Sequence, residues 1–366
     1  MNCTEFSNFF SKLFFLDQNE CDDWGYCDQL CSNSFGSYKC SCVDGYIRRN
    51  DTCVADPQNS KMVLYFAYHN KVLAMEPNAQ SIREVTNASE ASGIDFHLGK
   101  KLVFFTDTDS RKVYKFKMPN SKDLFDTSTP LNINPIIDFT NVGAWSPSAV
   151  AVDWIGNNLY VVDSLGQKVN LFDMEDLYTT IVVASNLTSP VDIALDPIYG
   201  VMFITDNNRV VRVNMDGTHL TPLVEDAVYK ASGLSLDLVT KRVYWSDILL
   251  DYIETVDYNG EKRQQIIRGP VNVPAPSRIT TFERMIYWTD SSKQGVFSVD
   301  KFLGAASKKS IHSLQTQTGK EPKAIKAVHS LVQPQGYNPC KGNDCEHLCI
   351  GKKNFEYSRN TCSKIL

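Results

Sequence analysis

The sequence predicts an all-β protein: a six-bladed β-propeller flanked by small disulfide-rich modules. Three observations predict it. Eleven cysteines crowd the two ends of the 366-residue chain, with Cys3 alone, six from Cys21 to Cys53, four from Cys340 to Cys362 and none between. An aromatic-rich tetrapeptide ending in aspartate recurs about every forty residues, the mark of a repeat architecture. No segment has helical periodicity, whereas short alternating runs bounded by turn residues abound.

Composition sets the outer limits. The length exceeds one ordinary domain, so two or three units are expected. Apolar residues at 43% suffice for buried cores, and charged residues at 22% argue against wholesale disorder. A net charge of −5 gives no reason to expect nucleic acid or an acidic membrane as partner. No run of apolar residues is long enough to span a bilayer. Cysteine-stapled ends imply an oxidising compartment. Phe9–Leu16 does not read as the matching signal peptide, because Lys12 interrupts it and no small-residue cleavage site follows. The chain therefore reads as a piece or short form of a longer one, with residues 1–16 irregular and Cys3 lacking a partner.

The first cluster runs Cys21-x5-Cys27-x3-Cys31-x8-Cys40-x-Cys42-x10-Cys53. Six cysteines allow fifteen pairings, so spacing leaves connectivity open. The pattern resembles an EGF-like domain over residues 17–54, and the resemblance implies Cys21–Cys31, Cys27–Cys40 and Cys42–Cys53. A module this small needs such staples. Gly36 and Gly45 fall where tight turns are required, and Tyr38 is expected to cover the small core. Asp17-Gln18-Asn19-Glu20 before the first cysteine, and Asn33 to Tyr38 after the third, resemble the calcium-binding subclass. A hard cation needs six to eight oxygens. By resemblance Asp17, Glu20 and Asn33 supply side-chain oxygen, and Gln18, Ser34 and Ser37 supply carbonyls. The expected calcium ion stiffens the junction to the next domain and takes no part in catalysis.

The cysteine-free body carries the repeat. Phe104–Asp107, Tyr160–Asp163, Phe203–Asp206, Tyr244–Asp247 and Tyr287–Asp290 share one pattern, and Tyr65–Tyr68 fits the same slot with tyrosine in place of the aspartate. A second element precedes it by ten to twelve residues: Gly93–Asp95, Ala151–Asp153, Ala194–Asp196 and Ser235–Asp237. Asp216-Gly217 and Asn259-Gly260 are hairpin signals, since both pairs tolerate positive φ. Six such units of several short strands describe a propeller over 62–334. The stretch from Pro119 to Pro147, rich in Asn, Ser, Thr and Pro, predicts an extended loop.

Leu-Asp followed by Tyr-Trp-Thr-Asp units resembles the YWTD propeller of the LDL receptor family, in which six blades are the rule. Pro322–His329 would then return to close the ring, and Gln333-Pro334-Gln335-Gly336-Tyr337-Asn338-Pro339-Cys340 resembles that family's joint to a following EGF module. Leu250–Tyr258 points within it to the large receptor-related proteins. The five repeated aspartates, Asp107, Asp163, Asp206, Asp247 and Asp290, are read as structural caps between blades, each at the end of an inner strand. An ionised carboxylate there accepts N–H groups otherwise buried without partners.

The last cluster, Cys340-x4-Cys345-x3-Cys349-x12-Cys362, matches the first four cysteines of a truncated EGF-like domain over 337–366. Cys340–Cys349 and Cys345–Cys362 are the pairs the resemblance implies. Asn50, Asn87 and Asn186 begin glycosylation sequons, with Asn2 a weaker fourth. The six histidines have no metal-ligand spacing, and no phosphate loop, serine-hydrolase elbow or zinc-protease motif occurs. The expectation is a non-enzymatic extracellular module of an endocytic receptor, at the cell surface and in endosomes or secreted. Its partners are protein ligands or other receptor modules, and any membrane attachment lies in missing parts of the parent. The alternatives are a nidogen-like matrix module and a propeller lactonase or esterase.

Overall fold

In the computed structural model the described residues are 18–58, 61–68, 70–77, 82–119, 133–140, 143, 145–175, 180–313, 322–338 and 350. The chain divides into two compact units, Met1–Val54 and Ala55–Leu366.

The first unit is held by covalent staples. A single 3-10 turn, Glu20–Asp22, is capped by the Asn19 side chain, which accepts from Cys21 N. It packs against strand Leu30–Ser34, which pairs antiparallel with Ser37–Ser41 around Phe35-Gly36, where Gly36 takes φ +72°. A second hairpin joins Tyr46–Arg49 to Thr52–Ala55. Disulfides link Cys21 to Cys31, Cys27 to Cys40 and Cys42 to Cys53. The buried Asp28 carboxylate accepts Cys53 N at 2.9 Å. Tyr38 packs edge-on against Tyr26 at 5.1 Å, and both rings stay partly exposed, so Tyr38 flanks this small core and does not seal it.

The second unit is six four-stranded antiparallel sheets. Blade 2 comprises Ala91–His97, Leu102–Asp107, Lys112–Lys117 and Ile133–Asp138. Blade 3 comprises Pro147–Asp153, Asn158–Asp163, Lys168–Asp173 and Thr180–Ala184. Blade 4 comprises Pro190–Asp196, Val201–Asp206, Arg209–Asn214 and Thr221–Val224. Blade 5 comprises Ala231–Asp237, Arg242–Asp247, Tyr252–Asp257 and Gln264–Arg268, and blade 6 Pro276–Phe282, Met285–Asp290, Gly295–Asp300 and Lys309–Ser313. Blade 1 is assembled from both ends: Val63–Tyr68, Lys71–Met75 and Ile82–Asn87, with Ile325–Val328 as its innermost strand. Ile325 pairs with Phe66 and Val328 with Val63, which closes the ring.

The first strand of each blade touches its counterparts in the neighbouring blades, so these six strands surround the central axis. Pro147–Asp153 and Asn158–Asp163 are buried at every position. Simple alternation is absent there because both faces of a blade pack against other blades, as in any sheet covered twice. It survives on outer strands such as Ile82–Asn87, whose far side meets solvent. Around the axis there is little room: a Cβ on Gly93 would lie 2.6 Å from Ala149 Cα, and one on Gly233 2.7 Å from Arg278 Cα. A register shift near the start of the innermost strand recurs in blades 2 to 6. Such bulges re-aim a strand and raise its twist. Residues 133–138 of the expected long loop form the outer strand of blade 2, so the structure places a blade strand where the sequence predicts loop.

Candidate functional site

The repeated aspartates end the second strand of their blades, one strand out from the axis and interior to the sheet, so each lies at the end of an inner strand as expected. All five are buried. Asp107 accepts from Ser89 N (2.6 Å) and Glu90 N (3.1 Å) on the loop entering the blade, and from Ser110 N (2.9 Å) on its own following turn. Asp163 takes Ser146 N (3.0 Å) and Gly166 N (2.9 Å) in the same way. Asp206 holds Thr188 N and Ser189 N, both at 2.7 Å, on one oxygen and the Arg209 guanidinium on the other. Asp247 has four backbone partners: Tyr229 N (2.6 Å), Lys230 N, Leu249 N and Leu250 N (2.9 Å each). Asp290 differs: it accepts Lys293 N at 2.8 Å and, weakly, Trp288 Nε1 at 3.4 Å, and burial raises its carboxyl above the usual range. In blade 1 the slot holds Tyr68, which has no carboxylate.

The second repeated element needs one correction. Strand register puts Asp153, Asp196 and Asp237 in equivalent places at the end of the innermost strand, but the blade 2 equivalent is His97. Asp95 lies two residues earlier, and its spacing of twelve to Asp107, where the others have ten, was the sign. Asp153, Asp196 and Asp237 each accept backbone N–H groups from the turn that follows. His97 does the same through Nδ1, which accepts Lys100 N at 3.3 Å, while Nε2 faces Asn157 Oδ1 at 2.9 Å. This fixes the neutral tautomer with the proton on Nε2, and burial lowers the imidazole below its ordinary value.

Asp95 instead faces the axis region. It pairs with Lys326 at 3.0 Å and accepts Val152 N at 2.8 Å. Opposite, Asp192 lies 3.7 Å from Arg278 and accepts Leu234 N at 2.9 Å. Burial raises the Asp192 carboxyl while the Arg278 charge opposes that shift; burial also lowers Arg278. Arg278 crosses the channel to the carbonyls of Val191 (3.2 Å) and Ser148 (3.5 Å), joining blades 6, 4 and 3. The space left is about 20 Å³. That holds about one water, whereas ligand pockets run to roughly 300–1,000 Å³. Sequence reasoning missed this quartet because its members lie far apart in the chain and no shared motif joins them, although Asp95 stood in a repeated element and Lys326 in the closing segment.

The joint after the propeller is a docked segment. Gln333 accepts Leu98 N at 2.8 Å and donates to Phe96 O. Trp154 Nε1 donates to Pro334 O at 2.9 Å, and Asn338 Nδ2 to Ile155 O at 2.7 Å. Gly336 lies close against Ile155, and a Cβ there would come within 2.5 Å of Ile155 Cδ1 and oblige that side chain to move. Ile350 is buried and belongs to the core cluster of blades 3 and 4. Cys340, Cys345, Cys349 and Cys362 lie outside the described residues, as do Asp17, Cys3, His69 and His347.

Of the expected calcium ligands, Gln18, Glu20, Asn33, Ser34 and Ser37 are described. Glu20 Oε2 is buried without a hydrogen-bond partner, which suits a cation ligand; Ser37 O already accepts Ser34 Oγ at 2.9 Å and has a second lone pair to offer. The sequon residues Asn50, Asn87 and Asn186 are exposed. Among the described residues no helix is long and apolar enough to cross a membrane.

No family model matches the chain. It is similar to the vitellogenin receptor Yl of Drosophila melanogaster, with 26% identity over 348 residues, covering 91% of this chain and 16% of that receptor. The vitellogenin receptor of Solenopsis invicta is 25% identical over 214 residues, covering 58% of this chain and 12% of that one. This chain thus spans less than a fifth of either relative's length. Among solved structures, a chain of the nidogen/laminin complex matches with a TM-score of 0.61 and 20% identity, over 73% of this chain and 98% of that one, a likeness of fold.

Proposed function

We propose that this chain, which carries a six-bladed YWTD propeller of the LDL receptor family, is a non-enzymatic extracellular module of an endocytic receptor that binds and releases protein ligands. The observation that carries the reading is the match to a vitellogenin receptor along 91% of the chain, small disulfide-bonded unit and propeller together. The site chemistry supports it. The five repeated carboxylates are taken up by backbone and side-chain donors, and the channel is filled by charge pairs. A catalytic carboxylate has to be available to substrate; these are buried in the frame. Binding then falls to the faces and rims, where loops differ from blade to blade.

Calcium belongs to the same proposal. Glu20 and Asn33, with Asp17 and the carbonyls of Gln18, Ser34 and Ser37, would hold the ion, which supplies rigidity where the first unit leads into the chain that follows. The exposed Asn50, Asn87 and Asn186 would carry glycans.

The test uses the immobilised full chain with vitellogenin and laminin as probes, in calcium, at about pH 7.4 and then about pH 5.5, the range in which histidine titrates. The receptor reading expects vitellogenin bound at the higher pH and released at least about tenfold faster at the lower. Retention of laminin at both values would favour a matrix module. Turnover of lactones or aryl esters would overturn the non-enzymatic reading, and binding of neither protein would overturn the receptor reading.

A further inference from the structure

One sector of the rim carries three large apolar side chains on loops bonded to one another. Tyr229, Leu249 and Val271 are 68%, 61% and 80% exposed. Hydrogen bonds tie the loops that carry them to one another. Asp247 gathers Tyr229 N and Leu249 N on its two oxygens. The same turn then reaches the next loop: Asp251 O accepts Gly269 N at 2.7 Å and its carboxylate accepts Ala275 N at 3.1 Å, bracketing Val271. Val273 in that loop is fully buried, so the loop is anchored while Val271 points outward.

Charge marks the far end of this surface. The ammonium groups of Lys293 (2.5 Å) and Lys308 (3.4 Å) converge on the carbonyl of Val271. Neither has a carboxylate within ion-pair distance among the described residues, although the chain as a whole is acidic. Burial, and then the Lys293 ammonium beside it, lowers the Lys308 amine to about 8. Exposed Lys230 and Arg268 add to the positive charge. The acids facing the sector are Glu225 and Asp226, both exposed and at the Tyr229 end, and Asp251, which holds the loop; buried Asp290 lies below the lysines. Two like charges held together on one acceptor, beside exposed apolar side chains, favour a ligand that brings a carboxylate and an apolar group at once.

We infer that the rim formed by Tyr229, Leu249, Val271, Lys293 and Lys308 is a docking surface for a peptide segment of a protein ligand that carries acidic and apolar side chains together. This rests on the reading of the chain as a protein-binding module and names the sector and the ligand chemistry. The ligand's apolar side chains would cover Val271, Leu249 and Tyr229, and its carboxylate would sit between the two ammonium groups.

The experiment is selection of short random peptides on the immobilised full chain, followed by titration of the enriched peptides on wild type, Lys293→Glu/Lys308→Glu, Lys293→Gln/Lys308→Gln and Val271→Asp. Thermal melting checks that each variant is folded. Expected are peptides with Asp or Glu next to aromatic or aliphatic residues, weakened at least about tenfold by the charge reversal and by Val271→Asp, less by the glutamines, and weakened by salt. The bound peptide should also slow acylation of Lys308, read by mass spectrometry. Enriched peptides without acidic residues, or with affinity unmoved in all variants, overturn the assignment of the rim and leave the protein-binding reading in place. Failure to enrich any peptide while vitellogenin binds overturns the rim alone; failure of both overturns the rim and the reading beneath it.

Discussion

Asp247→Asn is the sharpest probe of the frame. The side chain is fully buried, and its two oxygens accept four backbone N–H groups, two from the loop entering blade 5 and two from the turn after the strand. Asparagine has one oxygen. In either orientation of the amide, two N–H groups keep an acceptor and two face an NH2 group. Hydrogen bonds to a charged group contribute about 1.5–3 kcal/mol each, so losing two costs about 3–6 kcal/mol before any relaxation. For a domain of this size that corresponds to a fall in melting temperature of roughly 6–18 °C, taking about 2–3 °C per kcal/mol. Asp290→Asn is the internal control. Its carboxylate has one strong backbone partner and one long indole contact, and burial already disfavours its charge. An amide there keeps the strong bond, and the expected cost is below about 1.5 kcal/mol. The assay is calorimetric melting of the purified full-length variants beside wild type. Equal melting temperatures for Asp247→Asn and wild type, or a larger drop for Asp290→Asn, would refute the view that these carboxylates act by accepting inter-blade N–H groups. Asp206→Asn should fall between the two, because the surviving oxygen can keep Thr188 and Ser189 while the Arg209 pair is lost.

Other perturbations follow from the same geometry. Arg278→Met leaves Asp192 without its partner near the axis and should destabilise by about 3–5 kcal/mol, whereas adding Asp192→Leu should restore much of the loss; denaturant titration reads both. Isothermal titration of the full chain should give calcium binding in the roughly 10⁻⁴–10⁻³ M range, weakened by Glu20→Gln, and no calcium-dependent heat would remove that proposal. His97 supplies a pH dependence. Its folded pKa lies below the unfolded value of about 6.5, so in that interval the unfolded chain binds more protons and stability falls as pH drops below about 6.5. Protonation of Nδ1 removes the acceptor for Lys100 N, with the Lys100 charge opposing protonation and Asp95 favouring it. His97→Asn, which can accept from Lys100 N without titrating, should flatten the decline in melting temperature between about pH 6.5 and 5; an unchanged slope would discard the assignment.

What was legible in the sequence is what repeats. Blade number and the slot of the five aspartates follow from spacing, because each blade solves the same packing problem with the same residue types, while the closing return after Pro322 came from the resemblance to the YWTD propeller. Position within a blade was less legible. Strands buried on both faces lose the alternation that separates one inner strand from the next, so the aspartates could be set on an inner strand but not on the second in particular. In blade 2 a histidine replaces the aspartate of the second element, and a nearby aspartate two residues early stood in for it. The pairing of Asp95 with Lys326 and of Asp192 with Arg278 had no signal, since closure of the ring, not local pattern, brings those side chains together. The rim had none either: whether a tyrosine or valine in a loop is exposed depends on how neighbouring turns anchor it.

These two classes of residue divide the work of the molecule. A carboxylate repeated once per blade and saturated by backbone donors cannot also meet a ligand without loosening the junction it holds. Variation is therefore tolerated only where a blade departs from the pattern or where a loop extends past its anchors. Blade 6 does both. Its aspartate has shed the incoming loop, whose Ala275 N is held instead by the Asp251 carboxylate, and two lysines close on the carbonyl of Val271 in that same loop. The frame at this junction thus depends less on the repeated carboxylate than anywhere from blade 2 to blade 5, and the side chains it releases are the ones that face solvent. A binding surface placed there can change its chemistry without touching the six-fold core, which is the condition a ligand-binding propeller has to meet.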